Sequence, residues 1–312
     1  MIVTLTPNPS LDVLFEADRL VWDDANRLAA PRRRPGGQGI NVARAVLELD
    51  ADALAVVPLG GAIGVTLRRM LERERTPLQV VEIAGETRLF VGVREGGSGR
   101  SLLLNPRGCE LRAEEVDALA EATLSAVGSA RAAWLACCGS VPPGVAQDFY
   151  ARLGVEARER GVAFVPDCDG EPLKLAAQAG CDLLVPNAHE AGRLLGRRVR
   201  GAEDAAAAAR GLLRFGPRWA AITLGADGAV AATANGAWHA VAPQASGGSA
   251  VGAGDAFLAA LLVAFERGAE APEALRHAVA AGTATLFSTN TALLRRADVE
   301  SVLPDVVLTR IR

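Results

Sequence analysis

The chain has 312 residues, of which 50% are hydrophobic and 22% are charged, and its formal net charge is −3. This hydrophobic content is enough for a globular core and excludes disordered and collagen-like chains. The near balance of acidic and basic residues excludes a globally basic protein that binds nucleic acid or an anionic membrane. No apolar stretch reaches the ~20 residues of a membrane helix, and the first residues do not have the pattern of a signal peptide.

Two residue types narrow the chemistry further. Lys174 is the one lysine, and its surroundings, E-P-L-K-L, match neither a P-loop nor the strand lysine of protein kinases. The five cysteines lack C-x-x-C spacing, and most of them lie in apolar stretches. This pattern predicts reduced thiols in a cytoplasmic protein, with neither disulfides nor zinc.

Short apolar runs alternate with longer amphipathic segments along the chain. The runs predict buried strands at residues 1–6, 54–59, 132–136, 162–165, 183–185 and 220–223. Between them, apolar residues recur at helical spacing at residues 65–74, 113–127, 145–160 and 202–215. This alternation favours an α/β fold, in which helices cover both faces of a mainly parallel sheet.

Two segments interrupt this alternation. Residues 13–34 and 88–104 have the pattern of extended chain without a helix between strands, and G-G-S-G at residues 96–99 predicts a hairpin turn. Because no low-complexity linker divides the chain, we predict a single domain over residues 1–312 that carries a small β-lid formed by these two segments. The exposed strand edges of such a lid favour a homodimer joined through it.

The most informative segment for chemistry is S-A-V-G-A-G-D at residues 249–255, which precedes a strongly apolar helix. Gly252 and Gly254 allow backbone N–H groups to converge at the helix start, where the helix dipole favours an anion. Asp255 lies in the predicted first turn, where a carboxylate can accept a proton from an attacking hydroxyl. The alternative is an ordinary turn followed by a helix-start acid. A nicotinamide site is disfavoured because the third glycine of a Rossmann loop is missing.

Two other loops have similar character. P-G-G-Q-G-I-N at residues 35–41 opens an apolar-periodic helix and places Asn41 near its start, where it can hydrogen-bond a polyol. T-P-N-P-S-L-D at residues 6–12 follows the first strand, and open α/β sheets bind ligands at the carboxyl ends of their strands. Asp12 in this loop can accept hydrogen bonds from vicinal hydroxyls. Taken singly, each segment is equally compatible with an ordinary loop.

Six motifs, in this order, resemble those of the PfkB family of ribokinase-like sugar kinases. They are N-P-S-L-D at 8–12, P-G-G-Q-G-I-N-V-A-R at 35–44, G-S-V-P-P-G-V at 139–145, P-N-A-H-E at 186–190, T-L-G-A-D-G-A at 223–229 and G-A-G-D at 252–255. The resemblance covers nearly the whole chain and is greatest for the phosphofructokinase and tagatose-6-phosphate kinase branch. It implies a ribokinase-like three-layer αβα sandwich that uses ATP and Mg²⁺.

The resemblance also implies a role for each matched residue. It implies that Asp255 is the catalytic base and that the N–H groups of Gly252, Ala253 and Gly254 form the anion hole. The implied sugar-site residues are Asp12, Gly37, Gln38, Gly39, Asn41, Arg27, Arg88 and Ser140. The implied nucleotide-site residues are Asn187, Thr223, Gly225, Gly228 and Ser249. Asn187 and Glu190 are further implied to hold magnesium, largely through water.

Some of these residues have a second interpretation on the sequence alone. Asn187 is equally compatible with a helix N-cap, and Glu190 with an acid in the first helical turn. Asp167 follows a predicted strand, so that both magnesium support and loop capping stay open. The run R-R-R at residues 32–34 is typical of a solvated face. Because Gln38 stands where many relatives have lysine, any cationic phosphate clamp must be arginine, with Arg27 and Arg88 as candidates.

The implied activity is that of an ATP-dependent sugar-phosphate kinase, with fructose 6-phosphate phosphorylated at its 1-hydroxyl as the expected reaction. Tagatose 6-phosphate and fructose 1-phosphate are the alternative substrates. A sugar-phosphate-binding protein without catalysis is the alternative from another class. Asp255 argues against it, because a pure binding protein has no use for a base beside an anion hole. Neither nucleic acid nor a membrane is expected as a partner.

Overall fold

A layer of mainly parallel strands runs through the computed structural model, which describes residues 1–98, 100–243, 251–287 and 293–311. The strands are β1 (Ile2–Leu5), β2 (Ser10–Ala17), β3 (Arg32–Gly36), β4 (Ala53–Leu59), β5 (Leu78–Glu82), β6 (Arg88–Glu95), β7 (Ser101–Leu104), β8 (Trp134–Cys138), β9 (Ala163–Asp167), β10 (Leu183–Leu184), β11 (Trp219–Thr223), β12 (Ala229–Thr233), β13 (Gly236–Val241) and β14 (Val307–Ile311). The helices are α1 (Gln38–Glu48), α2 (Gly61–Arg73), α3 (Ala113–Ser129), α4 (Phe149–Glu159), α5 (Gly170–Ala179), α6 (Ala188–Leu195), α7 (Gly201–Leu212), α8 (Ala253–Glu266), α9 (Ala271–Ala284) and α10 (Arg296–Val302).

The central layer is built from two abutting sheets. One has the order β5-β4-β1-β8-β9 and is parallel throughout, and the other has the order β10-β11-β12-β13-β14. They meet where Asp182 N donates to Phe164 O at 2.9 Å. The pairing is antiparallel from β11 to β14. The connections from β11 to β12 and from β12 to β13 are too short to contain a crossover helix.

Helices cover both faces of this layer, as the alternation of strands and helices predicts. One hydrophobic cluster joins the sheet to α1, α2, α8, α9 and α10, and the other joins it to α3, α4, α5 and α7. Within β1, Ile2 packs into the first cluster and Val3 and Leu5 into the second, which is the two-residue period of a strand buried on both faces. In the part of the chain that the structure describes, no helix is both long and apolar enough to cross a bilayer.

A separate four-stranded sheet, which we call the lid sheet, has the order β3-β2-β6-β7. β2 and β6 pair in parallel, whereas β3 and β7 pair antiparallel at the two edges. Its bounds differ from the predicted 13–34, because pairing already begins at Ser10, opposite both Gly36 and Arg88, and residues 18–31 contain no strand. The predicted hairpin joins β6 to β7, and Gly99 within it lies outside the described residues.

Candidate functional site

The loops singled out from the sequence lie at one edge of the central layer, where the parallel strands end. Thr6 follows β1, Gly139 follows β8, Asp167 ends β9, and Thr223 ends β11. Asn187 forms a parallel bridge with Thr223 and so joins the same edge. Carboxyl ends of parallel strands are where open α/β sheets bind ligands.

Asp255 lies in the first turn of α8. The residue just before this helix has a backbone conformation that requires glycine. Gly252 has φ 88°, and a Cβ there would lie 2.2 Å from Leu293 Cδ1. The side chain of Asp255 is buried, with 6% of the residue exposed. Asn41, from the start of α1, donates from Nδ2 to Asp255 Oδ2 at 2.7 Å. Two helix starts that are far apart in the sequence therefore meet at one carboxylate.

The surroundings of Asp255 give it the pKa of a usable base. Burial raises its pKa to about 6, while the Asn41 hydrogen bond and the charge of Arg34 act to lower it, and the charge of Asp12 acts to raise it. A carboxyl group with this pKa is mostly ionised at neutral pH. It also holds a transferred proton better than an ordinary aspartate does, since the best general base has a pKa close to the working pH.

Asp12 is held in β2 by its neighbours in the lid sheet. Ser10 Oγ donates to Asp12 Oδ1 at 2.7 Å, and Arg34 Nε donates to Asp12 Oδ2 at 3.3 Å. Arg34 stands opposite Asp12 in the pairing of β2 with β3. A Cβ at Gly36 would lie 2.0 Å from Asp12 Oδ1, so that Gly36 gives this carboxylate its space.

The start of α1 packs against the end of β1. Gly37 has φ 119°, and a Cβ at Gly39 would lie 2.9 Å from Leu5 O, so that a larger residue at either position would displace the loop. Gln38 extends toward the loop after β8, because a Cβ built at Gly139 would lie 3.3 Å from Gln38 Oε1.

Asn8 connects the loop after β1 to two further loops. Its Nδ2 donates to Arg107 O at 2.9 Å and to Ser140 Oγ at 3.1 Å. Arg88 donates from Nε and Nη2 to Asn8 O at 3.2 and 2.9 Å, and from Nη1 to Asn105 and to Pro106 O. Burial lowers the pKa of this guanidinium, and the charge of Asp12 opposes that effect.

A cavity of about 490 Å³ opens beside this group and is lined in part by Arg88, Arg107 and Ser140. Four of the five N–H groups of Arg88 already have partners, which leaves one N–H without a partner within the described residues.

A second cavity, of about 550 Å³, lies beside the start of α8. Thr223, Gly225 and Gly228 line one side, and Ala253 and Gly254 line the end nearest Asp255. Its remaining wall is mostly apolar and comes from residues of α8, α9 and the adjoining loops, including Phe257, Val279, Thr283 and Leu286. A mostly apolar cavity of this volume that ends at helix-start amides suits a heterocyclic base with a phosphate tail.

Asn187 and Glu190 form a capping box at the start of α6. Asn187 Oδ1 accepts from the backbone N–H of His189 and Glu190 at 2.9 and 3.0 Å, and Glu190 Oε2 accepts from Asn187 N at 2.9 Å. The helix-capping interpretation therefore describes their geometry. Burial is the main cause that raises the pKa of Glu190. A further side-chain hydrogen bond from Asn187 acts to lower the pKa of Glu190.

Asp167 adds a third carboxyl group to this region. Its Oδ2 is buried and has no hydrogen-bond partner among the described residues. Burial, together with the charges of Asp255 and Glu190, raises its pKa to about 8. Asp167 is thus close enough to Asp255 and to Glu190 for both charges to influence it. Within the described ranges, however, no three His, Cys, Asp or Glu side chains converge to hold a metal ion by themselves.

A model of the pfkB family carbohydrate kinases matches residues 10–296. The chain belongs to the PfkB family. It is 32% identical to the ATP-dependent 6-phosphofructokinase isozyme 2 of Escherichia coli, over 96% of this chain and 97% of that protein. It is 28% identical to the 1-phosphofructokinase of Bacillus subtilis over the full length of both. A crystal structure of phosphofructokinase-2 from E. coli in complex with fructose 6-phosphate superposes with a TM-score of 0.89, at 30% identity over 97% of this chain and 98% of that one.

Membership of the PfkB family confirms the resemblance drawn from the six motifs. The predicted ribokinase-like α/β fold is confirmed as well. The chain is accordingly a phosphotransferase with an alcohol group as acceptor and ATP as its phosphoryl donor.

The roles of the individual site residues stay predictions, and the residues do not all lie in one region of the structure. Most lie at the strand ends described above. Arg27 does not, because it is exposed in the irregular segment 18–31. Ser249 lies outside the described residues. Asn8 and Arg34 were not predicted as site residues, although the first belongs to the N-P-S-L-D motif and the second to the R-R-R run.

Proposed function

We propose that this PfkB kinase transfers the γ-phosphoryl group of ATP to the 1-hydroxyl of fructose 6-phosphate, forming fructose 1,6-bisphosphate and ADP. The observation that carries the proposal is the placement of Asp255. This buried carboxylate, held by Asn41, lies at the helix start whose Ala253 and Gly254 end the proposed ATP cavity. A base and a phosphate-binding helix start are thereby adjacent, as in-line phosphoryl transfer requires.

In this mechanism Asp255 accepts the proton of the 1-hydroxyl as the hydroxyl oxygen forms a bond to the γ-phosphorus. The bond between that phosphorus and the bridging oxygen breaks, and ADP leaves with the electron pair. The backbone N–H groups of Gly252, Ala253 and Gly254 stabilise the charge that spreads over the transferred group, since they are fixed before the reaction begins. Asp255 then releases its proton to solvent.

Two groups in this region fit a magnesium ion that keeps most of its water. The Oδ2 atom of Asp167, which has no hydrogen-bond partner among the described residues, and the carboxylate of Glu190 are hard oxygen donors, and both residues face the charge of a neighbouring carboxyl group. Mg²⁺ prefers such oxygens and is commonly held by one or two carboxylates together with water and phosphate. When bound, it would neutralise phosphate charge, and Asp167 would then be ionised.

The sugar is proposed to bind between the lid sheet and the start of α1. Asp12 would accept hydrogen bonds from the sugar hydroxyls, and Asn41 would donate to them. Gly37 and Gly39 would let the backbone approach the sugar. The cavity at Arg88, Arg107 and Ser140 is proposed for the 6-phosphate. Arg88 would have to exchange its contact with Asn105 for phosphate, since nearly all its donors are in use. Tagatose 6-phosphate and fructose 1-phosphate remain the alternative substrates.

A homodimer that buries the lid sheet is proposed as the working form. The sheet and its connecting segment expose Leu103, Leu104, Val21 and Trp22, and Trp22 is 73% exposed. Exposed apolar side chains beside unpaired edge strands are what a second copy would cover. We place the enzyme in the cytoplasm, in keeping with its five free cysteine thiols.

A substrate panel with ATP and Mg²⁺, read by ADP release, tests the proposal. Fructose 6-phosphate should give the highest kcat/KM, ahead of tagatose 6-phosphate, fructose 1-phosphate and unphosphorylated fructose. If none of these sugars causes ADP release, the chain is a binding protein without catalysis. Faster turnover of unphosphorylated fructose would refute the phosphate pocket.

A further inference from the structure

A third cavity, of about 740 Å³, lies beside α6 and the loop that joins it to α7. Its polar lining consists of His189, Arg193, Arg197, Arg198 and Arg200. Four of the eight residues 193–200 are arginine, whereas arginine makes up about one residue in ten of the whole chain. This cavity shares no lining residue with the proposed ATP cavity.

The backbone gives the cavity its concave shape. Helix α6 ends at Leu195 and is capped by Gly196, which has φ 66°. The chain then turns back so that Arg197 N donates to Gly192 O at 3.0 Å. A Cβ at Gly192 would lie 2.7 Å from Arg197 O, so that only glycine allows the loop to fold this closely on the helix. The arginine side chains therefore start from a backbone with a defined conformation.

The charges of this loop are largely uncompensated. Arg193 pairs with Asp169, but over the described ranges the guanidinium groups of Arg197, Arg198 and Arg200 have no carboxylate oxygen within 4.0 Å. The nearby acids of α7 are Glu203 and Asp204, and Asp204 accepts from the backbone N–H of Arg200 at 3.0 Å. Three guanidinium groups thus remain available at one cavity.

We propose that this arginine cavity binds a small anion with two or more phosphate groups. Guanidinium groups bind phosphate oxygens through paired hydrogen bonds, and several of them around one cavity suit several phosphates. The volume suits a small ligand, and the net charge of −3 provides no broad basic surface for a nucleic acid. The anion is either a free polyphosphate or the phosphate tail of a second nucleotide.

Calorimetric titration of the full chain with inorganic tripolyphosphate tests this site. The cavity variant is Arg197→Ala/Arg198→Ala, and the matched control is Arg69→Ala/Arg73→Ala, which removes two exposed charges from α2. The cavity variant should bind at least about ten-fold more weakly than the unaltered chain, because each charge-assisted hydrogen bond contributes substantially to binding. The control should change by less than about two-fold, since distant exposed charges act only through screened attraction.

Unchanged affinity in the cavity variant would place the anion elsewhere, for example at the start of α8, and would overturn the proposal. An equal loss in the control, or no binding to the unaltered chain, would overturn it too. If circular dichroism shows that the double variant is unfolded, Arg198→Glu replaces it and should weaken binding in the same direction.

A parallel titration with ATP distinguishes a free polyphosphate from the phosphate tail of a second nucleotide. A second, weaker ATP-binding event that the cavity variant alone lacks assigns the site to a nucleotide tail, whereas binding of tripolyphosphate alone assigns it to free polyphosphate. ADP release from ATP and fructose 6-phosphate, measured on the same variants, reports on the proposed function separately, because none of the substituted arginines belongs to that site.

Discussion

The hydrogen bond from Asn41 Nδ2 to Asp255 Oδ2 governs the pH at which Asp255 can act as a base, and Asn41→Ala removes it. The bond is 2.7 Å long and reaches a buried carboxylate. A hydrogen bond to a charged group contributes about 1.5–3 kcal/mol, and one pKa unit corresponds to about 1.4 kcal/mol. Because the bond favours the ionised form, its loss should raise the pKa of Asp255 by about one to two units from its value of about 6.

The assay is kcat/KM for fructose 6-phosphate between pH 5 and 9, which reports the groups of the free enzyme. The unaltered enzyme should gain activity as the pH rises through about 6, whereas Asn41→Ala should do so at about 7–8. At pH 7 the ionised fraction of Asp255 would fall from about nine-tenths to between one-half and one-tenth. A lost sugar contact would lower the whole curve without moving its midpoint, so the midpoint is the decisive quantity.

Asn235→Ala is the matched control, because it removes the same side chain from an exposed turn between β12 and β13. Its midpoint should equal that of the unaltered enzyme. A midpoint for Asn41→Ala that stays at about 6, or moves to lower pH, would refute the reasoning about this hydrogen bond.

Asp255→Asn should lower turnover by roughly 10²–10⁴-fold while calorimetry still detects ATP binding, and more than about a tenth of the original turnover would remove Asp255 from its role. Arg88→Ala should reduce the preference for fructose 6-phosphate over fructose, and an unchanged ratio of kcat/KM values would exclude Arg88 as the phosphate clamp. Gly36→Ala should lower kcat/KM by about 100-fold, since its Cβ would lie 2.0 Å from Asp12 Oδ1 and displace that carboxylate; near-normal kinetics would contradict this. Light scattering at micromolar concentration should give twice the chain mass of 32.3 kDa, and a monomer would contradict the lid-mediated dimer.

The sequence by itself determines the order of the elements and the segments that carry chemistry. The strand at 54–59 and the helix at 113–127 differ from β4 and α3 by no more than two residues at either end. Such elements are encoded locally, because a short apolar run or a 3.6-residue apolar period is complete within a short window. Glycines ahead of an apolar helix identified the start of α8 in the same way. The six motifs together also predict the PfkB family, which the family match confirms.

Only the tertiary structure decided which side chains meet. Asn41 and Asp255 are 214 residues apart, and their contact depends on the packing of α1 beside α8 across the end of the sheet. Arg34, which the sequence assigns to a solvated face, pairs with Asp12 because the register of β2 and β3 sets the two residues opposite each other. Arg27 is exposed in irregular chain within a lid segment, and its predicted role at the site stays a prediction. Strand register and helix packing depend on contacts between distant parts of the chain, and therefore no local sequence pattern predicts them.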